Sequence, residues 1–389
     1  MLVRHLSLTD FRNYETAEVD LGPGPTLFVG SNGQGKTNLV ESLGFLSTLG
    51  SHRVPTDKAM IRAGTESAII RARLEHGDRS LLVEAQLNKS SPNRAQVNRS
   101  AIKTRELPRY FSSVLFAPED LALVRGEPSG RRRFLDELLV LLSPRVSGIL
   151  SDYDRVLRQR NTLLKSARTS GVGAAQLGTL DIWDERLVSL GSEIIRARAR
   201  LVEELSPHVA EAYRTVAGAE HSATLAPVLS VFGSDPETET IEQPTTETLE
   251  MLEPAFREAL AAKRRSELER GVTLLGPHRD DLLLVLNGLP ARGYASHGES
   301  WSFALALKLA SAHVLRRDSS VGDPVLILDD VFAELDENRR MRLSAAVRDF
   351  EQVLITAAVR DDVPDELAAT AISIRQGQVL ESGVKADEG

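Results

Sequence analysis

Eight consecutive residues, Gly30-Ser31-Asn32-Gly33-Gln34-Gly35-Lys36-Thr37, have the spacing G-x-x-x-x-G-K-[ST] and follow the apolar run Leu27-Phe28-Val29. Glycines so spaced let the backbone curl until several N–H groups point into one anionic cavity. A helix starting near Lys36 adds the positive end of its dipole. The guest of such a cradle is phosphate. In nucleotide chemistry Lys36 reaches the β/γ-phosphate oxygens, the Thr37 hydroxyl sits on the Mg²⁺ that bridges them, and Asn38 continues the loop into the helix. ATP and Mg²⁺ are therefore the expected cofactors.

A phosphate loop needs a carboxylate at the end of another strand. Val325-Leu326-Ile327-Leu328-Asp329-Asp330 supplies four apolar residues and two acids, a Walker B pattern. Ligands of parallel sheets bind at the carboxyl ends of strands, so the acids emerge where they are needed. Asp329 is expected to hold Mg²⁺ through water, and Asp330 to orient or deprotonate the attacking water. Between the two motifs, Ser296-His297-Gly298-Glu299 opens a proline-free helical stretch from Ser300 to Arg317, with Ser296 placed as an N-cap. This order matches the signature motif of ABC-type ATPases, and Ala333-Glu334-Leu335-Asp336 stands where those proteins carry the D-loop.

In ABC-type ATPases the signature of one subunit closes over the ATP held by the other. The resemblance therefore adds Ser296, Gly298, Glu299 and Asp336 to the nucleotide site. One chain carries one loop and one signature, so two complete sites need two copies in a closed dimer.

These motifs must be positioned by more than one lobe. At 389 residues the chain exceeds a single ordinary core. The first hundred or so residues read as strands; Ser67–Glu75, the turn His76-Gly77-Asp78 and Leu81–Leu87 read as an antiparallel hairpin. From about Pro118 the spacing is helical, and Trp183, Leu187, Leu190, Ile194, Ala197 and Leu201 form one narrow apolar stripe. Ser166–Gly178 and the acidic, Thr-rich Gly233–Glu250 read as surface loops. Strand grammar returns at Leu282–Pro290, with Asn287-Gly288 as a tight turn. The expected fold is α/β: an ABC-type P-loop ATPase head with a mixed-sheet lobe and an inserted, mostly helical lobe. Its expected boundaries are 1–117, 118–270 and 271–389.

Composition narrows the function classes. There is no cysteine, which removes disulfides, zinc ribbons and thiol catalysis. No run is long enough for a membrane span, and the opening residues read as a strand; a cytoplasmic, nucleoid-associated protein is expected. With a net charge of −8, nucleic acid contact would have to come from local basic patches.

With the four motifs in place, the chain resembles the SMC-like branch of ABC ATPases, and within it the RecF family. Leu6–Tyr14, Gly30–Asn38, Phe116–Leu121 with Arg131–Asp136, Gly276–Leu282 and Leu328–Asp336 carry the resemblance, which covers most of the chain. About 260 residues separate Lys36 from Ser296, so a compact lobe fits and a long coiled-coil arm does not. The resemblance implies an ATP-dependent homodimer with weak, DNA-stimulated hydrolysis that clamps DNA at single-strand gaps or junctions. It also implies partnership with RecR and, indirectly, with RecO and RecA.

Phosphate contacts that do not read sequence could come from Arg94, Arg99, Lys103, Arg105 and Arg109, from Arg131-Arg132-Arg133, or from Lys263-Arg264-Arg265. Each cluster fits a solvated face as well. Arg131–Arg133 fit internal pairing, and Arg12 fits either an ATP contact or a tether for the first strand. Two other classes compete: a small-molecule kinase, which needs neither signature nor D-loop, and another SMC-like or transporter-type ABC subunit. Transporter ATPases carry Glu after the Walker B Asp and a His after the next strand; here Asp330 and Thr356 stand there.

Overall fold

A computed structural model describes residues 1–170, 174–218, 220–233, 249–319 and 322–380. The chain forms two compact units. The first comprises Met1–Leu121, Glu211–Glu220 and His297–Gly389, and the second Ala122–Ala210 and His221–Ser296.

Two six-stranded sheets build the first unit. One is antiparallel, in the order Tyr14–Asp20, Leu2–Phe11, Ser67–His76, Arg79–Asn88, Arg94–Val97 and Ser100–Ile102. Its strands alternate: Ala68, Ile70, Ala72 and Leu74 are fully buried and pair with Leu87, Ala85, Val83 and Leu81. The hairpin at 67–88 therefore has the register its sequence pattern requires. The second sheet runs Gln378–Leu380, Ala371–Arg375, Gly24–Val29, Gln352–Ala357, Val325–Asp329, Ser113–Phe116. All its pairs are parallel except the first. Val325–Asp329 and Gln352–Ala357 are buried at every position, which is why they read as continuous apolar runs. The helix Lys36–Thr48 is apolar on most of its surface and shares one core with both sheets.

The second unit packs the helices Pro128–Leu142, Val146–Ser170 and Leu252–Arg270 and most of the long helix Ala174–Ala217 beside a three-stranded antiparallel sheet. On the long helix Leu187, Ile194 and Leu201 are at most 2% exposed, so the predicted stripe faces a core. In the sheet Asn287 and Gly288 both take positive φ and join Leu286 to its partner Leu289, the predicted tight turn.

Three expectations need correction. The stretch 271–296 packs with the second unit, because Asp281–Leu286 pairs with Ala223–Val228. Glu211–Glu220 packs with the first, where the Tyr213 ring meets Phe303 edge-on and the Ala217 carbonyl accepts from Arg342. Ser166–Gly178 is mostly helix: one helix runs to Ser170 and the next begins at Ala174. Of the expected loop Gly233–Glu250, positions 234–248 lie outside the described residues.

Candidate functional site

The central strand Gly24–Val29 delivers the loop 30–35 to the carboxyl edge of the parallel sheet, and the helix Lys36–Thr48 leaves from it. Gly33 and Gly35 take φ of 81° and 119°, values that favour glycine. A β-carbon on Gly30 would come within 2.3 Å of the Ile374 carbonyl oxygen, and one on Gly35 within 2.8 Å of Asn13. The loop is braced from behind. The Gln34 carbonyl accepts from Gly377 N–H at 2.9 Å and from Asn13 at 3.1 Å, and its side chain accepts from Gln376 N–H at 2.6 Å. The Tyr14 hydroxyl donates to the Gly35 carbonyl, and Asn38 donates to Asn13. With carbonyls engaged behind the loop, its N–H groups are left to face a guest.

The parallel sheet brings the two predicted halves together. Thr37 Oγ1 donates to Asp329 Oδ1 at 3.0 Å, and the Lys36 ammonium lies 4.0 Å from Asp330. Thr356, at the end of the neighbouring strand, donates to the same Asp329 oxygen at 2.6 Å and accepts from Asp330 N–H at 2.9 Å. Asp330 sits at φ 51°, a turn that directs its carboxylate away from the strand toward Lys36. Burial pushes the Asp329 carboxyl up to about 6; the Asp330 charge adds to this, and the Thr356 and Thr37 hydrogen bonds oppose it. A carboxylate held this way favours a cation beside it. Thr37 and Asp329 form a hard-oxygen pair of the kind Mg²⁺ prefers. Among the described residues no group of three or more His, Asp or Glu could hold a metal, so an ion here takes its remaining ligands from phosphate and water.

Several neighbours were not anticipated. Arg12 does not face the loop: its guanidinium clamps Glu41 at 2.7 and 2.8 Å and donates to the Ala59 carbonyl. Burial alone would raise the Glu41 carboxyl, but the Arg12 and Ser51 hydrogen bonds outweigh it and hold it low. His52 Nε2 lies 3.9 Å from Asp329 Oδ2, and burial pushes its imidazole down to about 4, so it is neutral at pH 7. The exposed Glu119 of the central motif adds its charge to the Asp329 field, while Asp120 pairs with Lys308 at 2.9 Å. Only the strand-end position of Thr356 offered a signal in the sequence; the other contacts join positions far apart in the chain.

Ser296 precedes the helix His297–Asp318, whose first turn contains Gly298 and Glu299. Asp336 caps the helix Glu337–Val347 by accepting from Arg339 N–H at 2.9 Å and also pairs with the Arg339 guanidinium. Those two hydrogen bonds, the backbone one foremost, hold its carboxyl low.

The basic clusters separate by partner. Arg131 is buried and doubly bonded to Asp281 at 2.7 and 2.8 Å, Arg132 donates to the Asp280 carbonyl, and Arg133 pairs with Glu137. Internal pairing is thus the structural role of Arg131. Arg264 pairs with Asp181 and Asp184 and Arg265 with Glu269, which leaves Lys263 as the exposed charge of that trio. The expected Lys263–Arg265 phosphate surface is therefore corrected: the acids of the neighbouring turns and helix neutralise two of its three charges. Arg94, Arg99, Lys103, Arg105 and Arg109 are exposed, and among the described residues none has a carboxylate at ion-pair distance.

A phosphate loop and a Walker B strand on one parallel sheet, with a signature helix and a D-loop in the same unit, define an ABC-type ATPase head of the SMC branch. The model of the RecF/RecN/SMC N-terminal domain matches residues 2–379. DNA replication and repair protein RecF of Clavibacter sepedonicus is 67% identical over 98% of this chain and 95% of its own length. That of Leifsonia xyli subsp. xyli is 64% identical over 98% and 100%. The chain belongs to the RecF family. A solved structure of the recombination mediator protein RecF with ATP in the RecFOR pathway superposes with a TM-score of 0.85 at 26% identity, covering 98% of this chain and 97% of that one. An SMC head bound to the C-winged helix domain of ScpA shares the fold, with a TM-score of 0.56 at 15% identity over 99% and 98%. Among the described residues no helix is long and apolar enough to cross a membrane.

Proposed function

We propose that this chain is an ATP-switched DNA clamp of recombinational repair, acting at single-strand gaps and junctions and helping, with RecR and RecO, to load RecA. The observation that carries the reading is the convergence of Lys36, Thr37, Asp329, Asp330 and Thr356 at one sheet edge. The family supports its assignment to repair. ATP lies in the loop 30–38 with Lys36 on its β/γ-phosphates, and Mg²⁺ is held by Thr37 directly and Asp329 through water. Asp330 orients the attacking water. Binding ATP brings two copies together, each presenting Ser296, Gly298, Glu299 and Asp336 to the nucleotide of the other.

Hydrolysis is slow in this reading, because Asp330 is short for a general base and its charge is shared with Lys36. ATP is then a dimerisation switch more than a fuel. DNA phosphates meet the exposed Arg94, Arg99, Lys103, Arg105 and Arg109. Two copies on one duplex turn the second engagement into an intramolecular step. The test is DNA affinity of the intact protein with ATP and with ADP: the reading requires tighter binding with ATP, and equal binding removes it.

A further inference from the structure

Arg339 was not singled out by any motif, yet it joins the D-loop to the first turns of the signature helix. Its Nε donates to the buried Ser302 hydroxyl at 3.1 Å, and its Nη1 pairs with Asp336. With two nitrogens anchored, the planar fork has one orientation. Its Nη2 then lies against Gly298, so close that a β-carbon there would come within 2.9 Å of it. Nη2 donates to nothing among the described residues.

Gly298 lies in the first turn of a 22-residue helix, where backbone N–H groups have no intrahelical acceptor. An unengaged guanidinium nitrogen and open helix N–H groups thus converge at the one position of that turn with no side chain in the way. The arrangement suits an oxyanion arriving from outside the chain.

Resting on the ATP-switched dimer proposed above, we infer that Arg339 donates from Nη2 to the terminal phosphate of the nucleotide held by the partner subunit. Arg339 is then what reads the third phosphate: ATP reaches it and ADP does not. Gly298 is required because any side chain would displace the guanidinium, and Ser302 and Asp336 serve to aim it. No bond is made or broken in this step; the contact stabilises the closed dimer.

The experiment compares the wild-type protein with R339Q, R339K and S302A. Labelled-ATP binding is measured at protein concentrations where single subunits prevail, and dimerisation by light scattering with ATP or ADP. Arg339→Gln should bind ATP as the wild type does but raise the ATP-dependent dimer dissociation constant about ten- to hundredfold, the range of a charge-assisted hydrogen bond. Arg339→Lys should fall between. Ser302→Ala, which removes an anchor and no phosphate contact, should change it less than about threefold.

An R339Q protein that dimerises with ATP like the wild type overturns the inference. So does one that loses ATP binding as a single subunit, or a S302A protein as impaired as R339Q, because Arg339 would then be a strut between two helices. A wild-type protein that stays monomeric with ATP fails the clamp reading itself, and this inference with it.

Discussion

Thr356 donates its hydroxyl to the buried Asp329 across 2.6 Å, from the end of the adjacent parallel strand. The same hydroxyl accepts from Asp330 N–H, so one side chain fixes both acids of the pair. Hydrogen bonds to the charged form hold a buried carboxyl down. Thr356→Val should therefore raise the Asp329 carboxyl further above its present value and weaken its hold on a cation. We expect the Mg²⁺ concentration for half-maximal ATP hydrolysis to rise about tenfold, in line with about 1.5 kcal/mol for one bond to a charged group. An unchanged Mg²⁺ dependence would mean that Asp329 does not support the metal.

Lys36→Ala should lower ATP affinity about ten- to hundredfold, since its ammonium is only 3% exposed and has phosphate as its expected counterion. Asp330→Asn should bind ATP normally and hydrolyse it more slowly, because an amide cannot take a proton. Equilibrium binding and single-turnover hydrolysis, measured on both variants, separate the two roles.

Arg131 and Asp281 form a buried, doubly bonded pair, each side chain 5% exposed. Arg131→Met leaves a buried carboxylate without its partner and should destabilise the second unit by about 3–5 kcal/mol. Urea unfolding checks this; a loss under about 1 kcal/mol would show that the site rehydrates.

Burial pushes His278 down to about 4, and its Nδ1 lies 2.8 Å from the Tyr153 hydroxyl. Its folded value lies below the unfolded one, so the unfolded chain binds the extra proton between pH 6.5 and 4. The stability it lends is full above pH 6.5 and is lost as pH falls toward 4. Asp280, pushed up to about 6 by burial, has the opposite sign over its own window, losing stability as pH rises toward 6. His278→Gln should remove the first effect alone and make the loss from pH 7 to pH 4 smaller than in the wild type by about 2–3 kcal/mol. Equal losses in the two proteins would show that His278 is solvated.

Much of this site was legible in the sequence because its chemistry depends on local spacing. The loop 30–37, the acids 329–330 and the turn 287–288 are each set by neighbours in the chain, and each occupies the element its pattern indicates. What was not legible is pairing between distant positions. Arg264 reads as part of a basic run until the helix Leu252–Arg270 lays it against Asp181 and Asp184. Arg12 reads as a candidate ATP contact until Glu41 claims it. The boundary at residue 270 failed for a related reason: strand Asp281–Leu286 resembles a continuation of the ATPase sheet, and only its partner, Ala223–Val228, reveals where it belongs.

The central claim is that ATP closes two copies of this chain on DNA. A salt titration of junction and blunt duplex DNA, with ATP and with ADP, tests it most directly, using the wild type and a variant with Arg99, Lys103 and Arg105 replaced by Ala. The account predicts tighter binding with ATP, a log–log slope of about −0.9 for each duplex phosphate neutralised, and a shallower slope for the variant. Equal affinity in both nucleotide states on every DNA would contradict it.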